Sequence, residues 1–390
     1  MISGFGVRGF KSLVDFSIED MGGFTCFVGL NGAGKSSILQ FLDFASHLMK
    51  GDIPQWLSKR GWSASDLHSK LSGESNIYLA VGVKTSDGRN FIWAASFNRT
   101  TLSCTSERIT ELPSKDQVFN LARGKYSFAG EQSRVDFTYT GSILSVLKPD
   151  IMPAWALEIK NKISSIRSLE LLSPHLMRMS LREPASDIGV GGERLSSFLY
   201  GIKGPERETL VRLLKKFYPS VVDFKIKQER AGWKKLSIIE EFNGTRIETD
   251  SRHVNDGLLR ILAIVAQSQH CDSLLMFDEV ENGVNPEVVE RLVEVLQETG
   301  RQVLVTTHSP MILNYLTDDV AKKSVRFVYR SFDGGTRSRP LFSVSRIESK
   351  LKLMGPGEAF VDTDLTSLAA ECAEDDAISA EKASEEHAPV

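Results

Sequence analysis

The residues with the clearest chemical potential lie between positions 24 and 39. A short apolar, β-prone run at 24–28 stops at a glycine, and a helical apolar pattern begins at Ile38. Between them the sequence has the spacing Gly29-x-x-x-x-Gly34-Lys35-Ser36. Glycines let a backbone curl until successive N–H groups point at phosphate oxygens, and the following helix N-terminus adds partial positive charge. The order strand, glycine loop, helix predicts a nucleoside triphosphate site.

Each residue type in this loop has a physical role toward a triphosphate. Lys35 can reach the β- and γ-phosphates, and the Ser36 hydroxyl can ligate Mg²⁺. The alternative is a glycine-rich loop that only turns the chain, but the strand, the helix and the Lys-Ser pair favour ATP binding. The predicted nucleotide-binding residues of the loop are Gly29, Asn31, Gly32, Ala33, Gly34, Lys35, Ser36 and Ser37.

Two later apolar runs end at groups suited to hydrolysis. Residues 274–277 run into Asp278 and Glu279, and residues 302–307 run into His308. Continuous apolar runs of this length are typical of buried parallel strands, and ligands bind at the carboxyl ends of such strands. The alternatives are a surface carboxylate for Glu279 and a strand-end histidine with a structural hydrogen bond for His308. Their joint order after the glycine loop favours a catalytic site.

The composition sets the wider frame for these residues. The chain has 390 residues, 41% hydrophobic and 25% charged, with a net charge of −3, which is typical of a globular protein without a global basic field. Its four cysteines have no metal-binding or disulfide spacing, so we expect a reducing cytoplasm. We expect neither a signal peptide nor membrane association, since no apolar run reaches the about 20 residues that span a bilayer.

The patterns divide the chain into four segments. Residues 1–110 contain the loop and three β-like runs at 76–84, 90–98 and 101–109, which predict an antiparallel sheet with Trp93 and Phe97 in its core. Residues 111–250 are predicted to be an inserted helical and β subdomain. Residues 251–350 contain the two acid- and histidine-terminated strands. In the last segment, 351–390, the tail from about residue 369 has seven acids and one lysine, which predicts disorder.

One local basic segment could bind a polyanion. Residues 203–235 contain ten Lys or Arg and four Asp or Glu, interleaved with aromatic residues. Such a segment can bind nucleic acid. The alternative, which we favour, is a solvated helix and strand face over core aromatics.

Several motifs in this order resemble the ATPase heads of the SMC, RecF and ABC class. Before the loop, Gly9-Phe10-Lys11-Ser12 is similar to the SMC N-terminus. Later, Asn255-Asp256-Gly257 resembles the signature of RecF-like proteins, where serine is usual in place of Asn255. The run 274–279 is similar to a Walker B strand with its glutamate, and 281–286 resembles a D-loop, with Asn285 where histidine is frequent. More narrowly, the chain resembles AAA family ATPases of bacterial defence that are related to the OLD family.

The resemblance implies an α/β fold: an ABC/RecF-type P-loop head with an antiparallel β lobe and an inserted, mainly helical subdomain. It implies that Ser36 and Asp278 hold Mg²⁺, that Glu279 activates water, and that His308 is the switch histidine. It also places Arg8, Lys11, Asn255, Asp256 and Gly257 at nucleotide, the last three acting on a second subunit. The expected assembly is therefore an ATP-sandwiched homodimer or higher homo-oligomer.

These motifs lead to a function hypothesis and two alternatives. The first is an ATP-hydrolysing switch that controls an effector in anti-phage defence. We expect this effector to be a separate protein, because the residues after His308 are expected to be too few for a Toprim nuclease domain. The alternative is a RecF-like DNA-repair ATPase that uses the basic segment. A transporter subunit is the third, and the SMC-like start and the long insertion count against it.

Overall fold

The computed structural model describes residues 1–128, 130–170, 172–271 and 273–386, with side chains described up to residue 379. The strands are β1 (Ile2–Phe10), β2 (Leu13–Ile18), β3 (Phe24–Val28), β4 (Asn76–Lys84), β5 (Asn90–Asn98), β6 (Ser103–Leu112), β7 (Asp116–Ala122), β8 (Lys125–Phe128), β9 (Glu131–Arg134), β10 (Arg167–Ser168), β11 (Val221–Gln228), β12 (Lys234–Phe242), β13 (Thr245–Asp250), β14 (Leu274–Phe277), β15 (Gln302–Thr306), β16 (Val325–Arg330) and β17 (Thr336–Pro340).

The α-helices lie between and after these strands along the chain. They are α1 (Lys35–Lys50), α2 (Ile53–Arg60), α3 (Ala154–Ser164), α4 (Pro174–Met177), α5 (Leu195–Gly201), α6 (Gly204–Phe217), α7 (Asp256–Gln269), α8 (Pro286–Glu298), α9 (Pro310–Asn314), α10 (Asp318–Ser324), α11 (Ser345–Leu351), α12 (Pro356–Val361) and α13 (Leu365–Glu386). Among the described residues, no helix combines the length and the apolar character that a membrane span needs.

A six-stranded sheet carries the motifs. Its order is β10-β14-β15-β3-β16-β17, with β17 antiparallel and the other strands parallel. Every residue of β3, β14 and β15 is buried, as the continuous apolar runs predict. Because parallel strands end at one edge, the glycine loop, Asp278 and His308 are brought to the same side of the sheet.

An eight-stranded antiparallel sheet forms the second layer. Its order is β2-β1-β4-β5-β6-β7-β8-β9, and α1 packs between this sheet and the parallel one in a shared apolar core. Trp93 and Phe97 are fully buried in that core, as predicted. On the opposite face of the parallel sheet, α7 and α8 belong to a second core. The α/β head with an antiparallel β lobe is therefore confirmed.

The antiparallel sheet continues past residue 110, where we placed a boundary. Strands β7, β8 and β9 extend it to Arg134. Strands β8 and β9 are short and have no buried position, so their sequence lacks the alternation that would reveal them, whereas β7 buries Phe119 and Leu121 on either side of Asn120. The rest of the insertion contains α3 to α6 and a three-stranded sheet, β11-β12-β13, so it is mixed rather than mainly helical.

Much of the basic segment at 203–235 is engaged within the fold. Arg207 lies 2.8 Å from Asp223, and Lys225 lies 2.9 Å from Glu248. Lys234 is buried and donates to backbone carbonyls at 182 and 183. Phe217 and Phe224 are core residues, which agrees with the interpretation as a solvated face over core aromatics.

The acidic tail is a docked helix as far as residue 386, so the prediction of disorder from about residue 369 is wrong for that part, and residues 387–390 lie outside the described residues. Helix α13 buries Leu368, Cys372 and Ala373. Asp376 accepts hydrogen bonds from the Tyr329 hydroxyl at 2.7 Å and from Arg339 at 2.5 Å. The composition argument fails because Arg339, on strand β17, neutralises acids that composition alone treats as repulsive.

Replacing Arg339 with alanine should lower the free energy of unfolding by about 1–3 kcal/mol, the range for charge-assisted hydrogen bonds. The reason is that Arg339 bonds Asp375, Asp376 and the Cys372 carbonyl together. Arg346→Ala is the matched control, because its pair with Glu371 is exposed and 3.8 Å long. Denaturant melts of both variants measure the difference, and equal midpoints would show that Arg339 does not hold α13.

Candidate functional site: an ATP-binding and hydrolysis centre

The glycine loop follows β3 and is shaped by two close approaches. Gly29 has φ +152° and Gly34 has φ +109°, a backbone region that side chains disfavour. A Cβ on Gly29 would lie 2.1 Å from the Val328 carbonyl oxygen, and one on Gly34 would lie 2.1 Å from Thr336 Oγ1. Only glycine fits at these two positions. Asn31 is exposed and Ser37 is half-buried in the first turn of α1.

A hairpin that the motif does not reveal supports this loop. Arg330 Nε donates to the Gly32 carbonyl at 2.9 Å, and Thr336 Oγ1 donates to the Ala33 carbonyl at 2.9 Å. Thr336 Oγ1 also lies 2.9 Å from Ser12 Oγ. The sequence motifs assign no role to Arg330 or Thr336. Their role depends on β16 pairing with β3, a contact between segments 300 residues apart.

Lys35 lies inside the cradle. Its Nζ donates to the carbonyls of Gly29 at 2.9 Å and Leu30 at 3.0 Å. Burial lowers the pKa of this ammonium, and the nearby carboxylates of Asp278, Glu279 and Glu281 act in the opposite direction. A partly desolvated cation held by two neutral carbonyls can exchange them for phosphate oxygens and gain charge-assisted bonds.

The predicted metal ligands lie within one hydrogen bond of each other. Ser36 Oγ donates to Asp278 Oδ2 at 2.9 Å, and Thr306 Oγ1 donates to Asp278 Oδ1. Within the described part of the chain, no group of three or more His, Cys, Asp or Glu side chains is arranged to hold a metal ion. Two protein oxygens suit Mg²⁺, which usually takes one or two ligands from protein and the rest from phosphates and water.

Glu279 and His308, the predicted catalytic pair, are in contact. His308 Nε2 lies 3.3 Å from Glu279 Oε1, and both side chains are partly exposed. The Glu279 N–H donates to Thr306 Oγ1 at 2.9 Å. Glu279 has φ +47°, a left-handed backbone that is rare outside glycine and recurs at functional sites.

A third carboxylate, Glu281, fixes the segment that bears the histidine. Its Oε1 accepts from Thr307 Oγ1 at 2.8 Å, from the His308 N–H at 3.0 Å and from the Ser309 N–H at 3.2 Å. Sequence reasoning places Glu281 in the D-loop without a role. The sequence does offer one signal for such a role. Glu281 lies two residues after Glu279, which predicts that both are at the same sheet edge.

The signature segment begins helix α7. Asn255 caps this helix, because its Oδ1 accepts from the Leu258 N–H at 2.7 Å. A Cβ on Gly257 would lie 3.1 Å from the Tyr218 hydroxyl and 3.3 Å from the Gly283 carbonyl of the D-loop. Further along α7, Arg260 Nη2 donates to the Glu279 carbonyl at 3.3 Å. The signature helix is thus packed against the strand end that carries Glu279, the predicted catalytic glutamate.

Comparison with known families decides the class. A family model described as "AAA domain, putative AbiEii toxin, Type IV TA system" matches residues 98–314, more than half of the chain. The chain belongs to this AAA-domain family. A second AAA-domain model matches residues 6–173, which include the phosphate loop. Among curated proteins, none matches the sequence.

Solved SMC head domains are among the structures to which this chain is similar, at low identity and with TM-scores below 0.5. An SMC head domain from Thermotoga maritima is 15% identical, with 87% of this chain and 98% of that chain covered and a TM-score of 0.47. An Smc head bound to the C-winged helix domain of ScpA is 16% identical, with 90% and 99% covered and a TM-score of 0.49. The fold assignment rests on the strand order and the family models.

Two basic residues of this AAA-domain protein are engaged by their neighbours. Arg8 Nε lies 3.2 Å from Glu74 Oε1, and its guanidinium lies 4.8 Å from the Tyr78 ring centroid. Lys11 Nζ donates to Gln40 Oε1 at 2.7 Å, and burial lowers its pKa to about 8. Their contact with nucleotide stays a prediction.

AAA-domain membership supports ATP binding and hydrolysis as the activity at family level, and the arrangement suits it. Bound Mg²⁺ would neutralise negative charge on the phosphate oxygens. Ser36 and Asp278 would hold that ion, and Lys35 with the loop amides would hold the phosphate oxygens. Glu279, oriented by His308 and Thr306, can accept a proton from a water molecule in line with the terminal phosphate.

Proposed function

We propose that this chain is an ATP-driven switch whose two copies sandwich ATP and control a separate effector in bacterial anti-phage defence. One observation carries the proposal: a hydrogen-bonded path runs from Ser36 through Asp278 and Thr306 to the backbone N–H of Glu279. This path joins the predicted metal site to the predicted general base. His308, whose backbone N–H donates to Glu281, would register loss of the terminal phosphate.

The dimeric part of the proposal is supported by the signature helix. Asn255 and Asp256 are exposed at its N-terminus, where backbone N–H groups favour anions. The Asn255 Oδ1 is used in the cap, so its amide nitrogen is the group that would donate to a phosphate. By resemblance to SMC, RecF and ABC heads, that phosphate belongs to the second copy.

The effector part is supported by the family description. Its words name a putative toxin of a type IV toxin–antitoxin system, which is an arrangement of more than one component. The role in bacterial defence and the relation to OLD-family ATPases are both part of what we propose.

Measuring the mass of the Glu279→Gln protein with and without Mg-ATP tests the sandwich. We expect ATP to convert this variant to a dimer or higher assembly, because hydrolysis is blocked while Lys35, Ser36 and Asp278 still bind. Adding Asn255→Arg should dissociate the assembly and leave ATP binding intact. A Glu279→Gln protein that stays monomeric at micromolar concentration with saturating Mg-ATP would defeat the proposal.

A further inference from the structure

The segment that leads into the signature helix is held by a single arginine from the insertion. Arg178 Nη2 donates to the Val254 carbonyl at 2.8 Å and to Asp256 Oδ1 at 2.5 Å. Its Nε donates to the Ser251 carbonyl at 3.2 Å. Three contacts across residues 251–256 fix this turn relative to the insertion.

Arg178 itself is rigidly placed. It directly follows helix α4, and Met177 before it is fully buried. A Cβ on Gly192 would lie 2.3 Å from Met177 Cγ, so the neighbouring loop is pressed against this side chain. The Arg178 side chain is 24% exposed, so its guanidinium is partly shielded from water. Shielding strengthens a charge pair relative to one at a fully exposed site.

The partner of Arg178 is a carboxylate at the proposed phosphate-binding end of α7. Asp256 is the first residue of α7, next to Asn255, and its side chain is 62% exposed. A helix N-terminus attracts phosphate, but an unpaired carboxylate in its first turn would repel it. The guanidinium of Arg178 cancels that charge while leaving the N-terminal N–H groups and the Asn255 amide in place.

We propose that Arg178 is a positioning residue that neutralises Asp256 and so allows the signature helix to accept the terminal phosphate of a second copy. The inference rests on the proposed ATP sandwich. It explains how a segment with an acid at its centre can face a polyphosphate. Arg178 acts through Asp256 and the 251–254 turn, and its effect belongs to dimer formation rather than to ATP binding by one copy.

The test uses the Glu279→Gln protein, in which ATP-driven dimerisation is measured without hydrolysis. Arg178→Gln in this background should weaken the Mg-ATP-dependent dimer at least about 10-fold, because it exposes the Asp256 charge and loosens the turn. The affinity of the monomer for Mg-ATP should stay within about 2-fold. Arg182→Gln is the matched control, since its guanidinium faces the Trp233 ring, and it should dimerise like the parent.

Charge cancellation has a specific signature in a double replacement. Asp256→Asn added to Arg178→Gln should recover at least about 3-fold of the lost dimer affinity, because the repulsive charge is gone. Raising the salt concentration should reduce the Arg178→Gln defect, since exposed charges are screened. Melting temperatures of all variants confirm that they are folded.

Each outcome decides a different statement. A monomeric Glu279→Gln parent overturns the ATP sandwich and this inference with it. A dimeric parent with an unaffected Arg178→Gln variant overturns this inference alone. An Arg178→Gln defect without recovery by Asp256→Asn overturns the neutralising role, because a purely structural arginine would give that result.

Discussion

Replacing Lys35 with alanine should weaken ATP binding by roughly 10²–10⁴-fold. The Lys35 ammonium lies in the loop and donates two hydrogen bonds to its carbonyls, at 2.9 and 3.0 Å. In the bound state these donors would face phosphate oxygens, and each charge-assisted bond is worth about 1.5–3 kcal/mol. Losing two of them accounts for the expected change. Titration calorimetry with Mg-ATP measures it directly.

A matched control separates the ligand effect from a folding effect. Lys50 lies at the other end of the same helix, is also largely buried, and donates to Ser46 Oγ at 3.0 Å. Lys50→Ala should therefore bind ATP normally. Lys35→Ala should unfold at a temperature close to that of the parent, because its partners are loop carbonyls. Near-parental ATP affinity in Lys35→Ala would contradict the assignment of the ATP-binding site to the glycine loop.

Replacing Glu279 with glutamine should reduce the ATP hydrolysis rate by roughly 10²–10⁴-fold, the range for loss of a general base. Glutamine keeps the volume and can still accept from His308, but it lacks a basic oxygen. ATP binding should persist, since Lys35, Ser36 and Asp278 are unchanged. Single-turnover assays with saturating enzyme isolate the chemical step from product release.

The control for the rate measurement is Glu287→Gln, an exposed acid in the first turn of α8. This variant should hydrolyse ATP at the parental rate. A Glu279→Gln protein that retains more than about a tenth of the parental single-turnover rate would assign the base to another group. Glu281 would then be the next residue to replace, since it lies at the same sheet edge.

Local patterns predict the parts of this molecule that depend on neighbours in sequence. The loop residues, strands β14 and β15 and the Asn255 cap follow from runs of fewer than about 20 residues, because their geometry is set by short-range periodicity and turn chemistry. Their arrangement at one sheet edge follows from the rule for parallel strands.

The residues that sequence reasoning misses act across the fold. Arg330 and Thr336 reach the loop from a hairpin 298 and 303 positions later, and Arg178 reaches the signature from the insertion. The composition of helix α13 is typical of a disordered segment, because Arg339, which neutralises its acids, lies on strand β17. Pairings of this kind leave no local pattern in a single sequence.

The position of β3 in the parallel sheet also fixes when the nucleotide site can form. The eight-stranded sheet is complete within the first 134 residues, whereas β3 pairs with β15 and β16, which begin at Gln302 and Val325. The Gln302 side chain even bonds both backbone groups of Ile2. During translation the N-terminal lobe can therefore fold early. Both edges of β3 stay unpaired until the last quarter of the chain, which contains its partner strands, has been synthesised. The hydrogen bonds from Arg330 and Thr336 to the loop can form only after that pairing, so we expect a fully supported loop only in chains synthesised through the hairpin.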